Sequence, residues 1–267
     1  MQFIEPLRED KKLKDYLDTG EYSKVGIFFG HGLGDCVMFQ VILDKLKELY
    51  PNISFKMILQ SGLDEEIIFP DCLFANSIQS IKESNFDLDL VSSIHFPVEV
   101  EGYTKSELCC KEEIGIEPIW GHKKIEKYPS KLVAVHFNLT SIPGMVKPTE
   151  EVAEQIWNEI REAGFIPIEC HFSHCFDNPE NKMFPFIDCT VRKCQANMTS
   201  LLGLLSHCHA FVGVVSGPFH CAMSLLEDDQ ICYLEKDLPL ERFTKKPIKT
   251  VNIKEYNQGQ IKDWLNK

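Results

Sequence analysis

Three short stretches of this chain hold the residue types that bind anions or move protons. GHGLGDC (30–36) places glycines and one acid, Asp35, between an apolar run and a helical pattern. An aspartate there has two uses. It caps a helix, or it serves as a general base. A helix N-terminus stabilises the carboxylate and lowers its pKa, which keeps it ionised but weakens it as a base, so both uses stand. The run reads G-x-G-x-G, not G-x-G-x-x-G, and no GK[ST] follows, which argues against a P-loop or a standard dinucleotide site. NLTSIPGMVKP (138–148) supplies Asn138, Thr140, Ser141 and Lys147 ahead of a helix, groups suited to a diphosphate. A lone loop lysine is ordinarily just solvated. SGPFH (216–220) combines a capping Ser216, Gly217 for close backbone approach, Pro218 for the first helical position, and His220. The N–H groups of such a helix start suit a phosphate. The same residues also make an ordinary strand–helix turn with a packed histidine.

The flanking patterns predict the elements that position these loops. LREDKKLKDYLD (7–18) reads as a short polar helix, KVGIFF (24–29) as a buried strand, DCVMFQVILDKLKELY (35–50) as a helix ended by Pro51, and ISFKMILQ (53–60) as a strand. This β–loop–α–β order belongs to a parallel sheet. FDLDLVSSIHFP (86–97) holds a further strand, and EPIWGHKKIEKYPSK (117–131) has the composition of a linker. The pattern then restarts. Strands are expected in 131–138, 165–170, 210–215 and 230–235, with helices over 148–164, 198–208 and 216–226 and a terminal helix over 253–267. Thr149 and Gly164 are the expected caps of the 148–164 helix. Two successive α/β halves predict an α/β protein with two Rossmann-like, doubly wound domains facing a cleft, 1–125 and 126–267, with ligands at the carboxyl ends of the strands.

Bulk properties narrow the class. Of the 267 residues, 44% are hydrophobic and 25% charged, the balance of a soluble globular chain. No apolar run approaches a membrane span, and the charged start MQFIEPLREDKK is unlike a signal peptide. A cytoplasmic protein without a transmembrane segment is expected. The net charge of −12 disfavours nucleic acid as a partner, and KKPIK (245–249) reads as a solvated turn. Eleven cysteines, scattered through apolar contexts, suit reduced buried thiols. CHFSHC (170–175), with Cys189 and Cys194 beyond, lacks the spacing of a known zinc module, so no metal is expected.

Taken in order, the three loops resemble glycosyltransferase family nine, the bacterial heptosyltransferase-like enzymes. GLGD (32–35), followed by a helix and LKELYP (46–51), looks like the family's N-terminal signature. The stretch 133–157, from VAVHFN to VKPTEEVAEQIW, looks like its donor-phosphate strand and loop. SLLGLLSHCHAFVGVVSGPFHCAMSL (200–225) looks like its most specific stretch, which usually ends in D-S-G-x-x-H-x-A-x-A. The resemblance implies the GT-B architecture, with an acceptor side in the first domain and a donor side in the second, and a terminal helix packing back on the first. It implies an inverting, metal-independent and cofactor-free transfer of a sugar, a heptose by default, from a nucleotide-diphosphate sugar to a glycan or glycolipid. Asp35 matches the family's catalytic base, with Gly32 and Gly34 in the acceptor-side loop. Asn138, Thr140, Ser141, Lys147, Ser216, Gly217, Pro218 and His220 fall on the donor side. Val215 departs from the pattern, standing where the family has the aspartate of D-S-G, and the first domain is short. These departures keep open a nucleotide- or sugar-binding module without catalysis. A transferase acting on a nucleic-acid or protein acceptor is a further alternative.

Overall fold

In the computed structural model the described residues are 1–4, 13–29, 33–60, 69, 71–94, 131–137, 147–170, 184–187, 198–242, 244 and 246–267. The chain divides into two compact units, Met1–Gly115 and Ile116–Lys267. The expected boundary at 125/126 and the linker residues 117–130 lie outside the described residues.

The first unit runs β1 (Gln2–Ile4), α1 (Leu13–Leu17), β2 (Lys24–Phe29), α2 (Leu33–Leu49), β3 (Ser54–Leu59), β4 (Leu73–Phe74), α3 (Ile78–Glu83) and β5 (Leu90–Ile94). The five strands lie in the order β1-β5-β2-β3-β4, all parallel. An apolar run with no polar face belongs in the middle of such a sheet, and β2 takes that place, with Val25–Phe29 buried throughout. The sequence of strands reverses direction between β2 and β5, which makes the carboxyl end of β2 a switch point. In α2, Cys36, Phe39, Leu43 and Leu46 recur at helical spacing and are buried. Phe39 packs on Phe29 of β2 with ring centroids 4.7 Å apart. Phe28, Ile58 and Val91 cluster with Ile81 of α3 and with Ala75 and Leu88. At the opposite end of the sheet the Asp89 carboxylate accepts hydrogen bonds from Ser23 N, Ser23 Oγ and Lys24 N at 2.8–2.9 Å. Those donors hold its pKa below the usual carboxylate value.

The second unit runs β6 (Leu132–His136), α4 (Glu150–Glu162), β7 (Ile166–Glu169), α5 (Met198–Leu205), β8 (Ala210–Gly213), α6 (Gly217–Leu225), β9 (Ile231–Glu235), β10 (Lys249–Asn252) and α7 (Gln260–Leu265). Its parallel strands are ordered β10-β9-β8-β6-β7. Numbered within the unit this is 2-1-3-4-5, the flavodoxin-like order, whose switch point falls between β6 and β8. Thr149 caps α4 as expected, its Oγ1 accepting from Val152 N. Ala153, Ile156, Trp157 and Ile160 form the buried stripe of that helix. Gly164 lies one residue beyond the actual C-cap, Ala163, and holds the φ of +85° that a side chain would disfavour.

The backbones of β6 and β8 run close at the switch point. A Cβ built on Gly213 would lie 2.9 Å from the His136 carbonyl oxygen and 2.7 Å from the Phe211 ring. Backbone cannot swing aside as a side-chain tip does. Gly213→Ala is therefore expected to cost about 1–3 kcal/mol through overpacking, read as a lower denaturant midpoint at unchanged m.

Several expectations need correction. The terminal helix is not 253–267. Lys249–Asn252 pairs with β9 as an edge strand, a turn follows, and Gly259 at φ +97° precedes a helix of only six residues. KKPIK is not simply a solvated turn. Lys246 Nζ pairs with Asp228 Oδ1 at 2.6 Å, Ile248 is buried, and Lys249 opens β10. Of the 7–18 helix, residues 7–12 lie outside the described residues and Leu13–Leu17 is helical. β1, β4, α3 and β10 lacked a sequence signal: β1 and β4 have only three and two residues, too few to show a period, and α3 is a helix of six residues, under two turns.

Candidate functional site

Asp35 lies in the first turn of α2, the helix that follows β2 in the chain. The helix begins at Leu33, so Asp35 is its third residue and not its cap, which corrects one of the two roles expected for it. An acid is favoured in a first turn because it faces the positive end of the helix dipole. Gly34 is half-buried in the same turn, while Gly32 lies outside the described residues.

In the second unit the described donor-side residues stand on both sides of the switch point. Ser216 follows β8 by three residues and is buried. Its Oγ accepts from Phe219 N at 3.3 Å and donates to Val214 O at 3.1 Å, which fixes it as the N-cap of α6. Such a cap is worth about 1 kcal/mol. Gly217 opens the helix and Pro218 takes the second position, one later than expected. Pro218 has no N–H and that of Phe219 is engaged by Ser216. An anion at this helix start would meet the N–H groups of Ser216 and Gly217. His220 is buried one turn in, edge-on to the Phe219 ring at 5.4 Å, and its backbone N–H donates to Ser216 O. Its ring thus packs against an aromatic neighbour on the buried side of α6.

Lys147 enters α4 from the β6 side. Its Nζ stands 4.8 Å from the centroid of the Phe184 ring, a cation–π position. Phe184 stacks on Phe186 at 5.4 Å and meets Phe137 edge-on at 6.0 Å, and Phe186 reaches Trp157 of α4. The ammonium thus rests on an aromatic chain rooted in the core. Asn138, Thr140 and Ser141 lie outside the described residues.

Two features went unnoticed in the sequence. His136 and Glu169 close β6 and β7, both buried, with Nδ1 and Oε1 3.4 Å apart, and Phe137 N donates to the same Glu169 oxygen at 3.4 Å. This pins the first peptide of the segment that leads to Lys147. Polar residues ending apolar strands were the available signal. The second feature is Lys236, directly past β9, whose Nζ donates to the Lys147 carbonyl at 3.3 Å.

The cysteines of the described residues are free thiols. Desolvation pushes Cys208 and Cys232 up to about 12 and raises Cys170 as well, so these groups stay protonated and unreactive. Of CHFSHC only Cys170 is described. Among the described residues no group of three His, Cys, Asp or Glu stands close enough to hold a metal ion, and no helix is long and apolar enough to cross a membrane.

No protein-family model and no curated protein matches the sequence. Solved structures do match its fold. A family 9 glycosyltransferase from Veillonella parvula DSM 2008 superposes with a TM-score of 0.56 at 12% identity, over 86% of each chain. The ADP-heptose LPS heptosyltransferase II of E. coli gives 0.58 at 10% identity, over 91% of this chain and 97% of the other. The E. coli heptosyltransferase WaaC, solved with ADP-2-deoxy-2-fluoro heptose, gives 0.51 at 10%, over 85% and 92%. At such identities the likeness is one of fold: this chain is built like the family 9 glycosyltransferases and the heptosyltransferases.

Proposed function

We propose that this protein is a GT-B glycosyltransferase that moves a sugar from a nucleotide-diphosphate sugar to a glycan or glycolipid hydroxyl, with inversion and without a metal. One observation carries the reading. The strand order of the second unit sets β6 and β8 side by side at the switch point, and in the chain Lys147, ahead of α4, follows the first of these strands and the capped start of α6 follows the second, which supports a shared ligand edge. Doubly wound sheets bind ligands there, and an ammonium with unshared helix N–H groups is suited to a diphosphate. The first unit repeats the logic, with Asp35 on the helix that follows its own central strand in the chain.

In this reading Asp35 takes the proton of the acceptor hydroxyl as that oxygen attacks the anomeric carbon. The bond from that carbon to the diphosphate breaks on the opposite face. Lys147 and the N–H groups of Ser216 and Gly217 stabilise the charge that develops on the leaving group. The neighbours solved with ADP or an ADP-heptose analogue make adenine nucleotides the first to try.

Calorimetric titration of ADP, UDP, GDP and CDP tests the donor site. One nucleotide is expected to bind, and Lys147→Ala is expected to weaken it about tenfold, the worth of one charged hydrogen bond. Binding of none of the four would end the reading. Val215, buried at the position where the resembled family has an aspartate, favours a second reading, a nucleotide-binding module without turnover. Nucleotide binding with neither transfer nor donor hydrolysis would select it.

A further inference from the structure

We propose that Phe184 is a positioning residue of the donor site: its ring holds the Lys147 ammonium in place while the N–H groups of that ammonium bind the diphosphate. This rests on the nucleotide-sugar reading above. Lys147 is tethered at both ends. At the backbone end it precedes Pro148, which favours an extended conformation. Thr149 caps α4 directly beyond, and the Lys147 carbonyl accepts from Lys236 Nζ at 3.3 Å. At the other end Nζ stands 4.8 Å from the centroid of the Phe184 ring, within reach of a cation–π contact.

The ring is itself held. Phe184 stacks on Phe186 with the planes 11° apart and meets Phe137 at 68°. Phe137 is buried, and Phe186 contacts the fully buried Trp157 of α4. A lysine side chain has much rotamer freedom to lose when it takes an anion. A fixed ring against the ammonium removes part of that cost before the ligand arrives. An aromatic face also attracts the ammonium without cancelling its charge, as a carboxylate in the same place would. The contact is weaker than a charge-assisted hydrogen bond, so it orients the group without competing with a phosphate. Phe184 and Lys147 are both half-buried, neither sealed in the core nor loose in solvent. FPFI (184–187) had no motif to mark it; only the fold brings its first ring to Lys147.

The test is calorimetry of ADP, inorganic pyrophosphate and adenosine with wild type, Phe184→Leu, Phe184→Tyr, Lys147→Ala and the Phe184→Leu, Lys147→Ala double variant. A further protein carries a ring-pentafluorinated phenylalanine in place of Phe184. Leucine removes the aromatic face, whereas fluorination nearly keeps the ring's shape and reverses the charge on its face. Both changes are expected to weaken ADP and pyrophosphate about two- to fivefold, the worth of one such contact, with adenosine binding unchanged. Tyrosine keeps the face and is expected to bind as wild type does. In the Lys147→Ala background Phe184→Leu is expected to change nothing further. A loss of less than about twofold in the fluorinated protein would overturn the proposal, because the ring would then only pack. Tighter binding would overturn it as well, since the ring would then withhold the ammonium from the ligand. So would an equal loss for adenosine, or the same loss with Lys147→Ala as without it, because Phe184 would then act on the shape of the site. Wild-type protein that binds neither pyrophosphate nor any of ADP, UDP, GDP and CDP would overturn the nucleotide-sugar reading itself, and this proposal with it.

Discussion

Asp35→Asn is expected to retain nucleotide binding while losing transfer by ~10²–10⁴-fold, the usual contribution of a positioned general base. The two effects separate because the groups belong to different units. Asp35 is in Met1–Gly115, whereas Lys147, Ser216 and Gly217 are in Ile116–Lys267. Asparagine has nearly the shape of aspartate and keeps a polar group in the first turn of α2, so the helix has little reason to shift. Only the ability to accept a proton is lost. A pH profile adds a second readout. A carboxylate base works when ionised, so wild-type kcat/KM should fall as acid protonates it, and the asparagine variant should lack that limb. The measurements are product formation from a nucleotide sugar that the titration has identified, and calorimetric Kd for the nucleotide. Unchanged transfer would remove Asp35 from the role of base. Loss of nucleotide binding in parallel with transfer would show that the substitution acts on the fold.

The largest expected effect on stability is at Glu159. It sits on the buried stripe of α4 among Ile156, Trp157 and Ile160, a poor place for a carboxylate. Its partners explain it. Oε1 accepts from Gly259 N at 2.7 Å, and Oε2 accepts from Ile261 N at 3.0 Å and Lys262 N at 3.2 Å. These are the N–H groups that the start of a short helix leaves without intrahelical partners. Gly259, the N-cap residue of α7, has no side chain to cap with. One carboxylate from a helix 100 residues earlier caps the last helix of the chain, which then buries Ile261 and Leu265. Glu159→Ala removes the acceptor and leaves the N–H groups enclosed. We expect a loss of about 2–4 kcal/mol, which lowers the melting temperature of the second unit by roughly 5–12 °C. Lys262→Ala is the control. It breaks only the exposed 3.0 Å pair with Glu162, and its effect should be within about 1 kcal/mol. Equal melting of Glu159→Ala and wild type would mean that α7 frays without affecting the rest of the unit.

The longer elements were legible in the sequence because their patterns are strong. KVGIFF could only be a buried strand, and its observed limits, Lys24–Phe29, match the expected ones. The α4 stripe and its Thr149 cap were likewise readable, since apolar residues at helical spacing and a hydroxyl before them are local properties. The capped SGPFH turn and the lysine ahead of α4 were visible for the same reason. The start of α2 was missed by two residues because glycines mask a helix onset, and that shift changes Asp35 from a cap to a first-turn acid.

What the sequence determined by itself is the α/β alternation, the loops that follow the strands, and the residue chemistry in them, because each depends on neighbours within one or two turns of chain. The tertiary structure alone decided which of those loops come together. Strand order is set by crossover connections and long-range pairing, and no local pattern shows that β8 lies between β6 and β9. From that order follow the tight passage at Gly213, the tie between Lys236 and Lys147, and the reach of Glu159 to α7. Each joins residues far apart in sequence whose contact depends on the way the sheet is assembled.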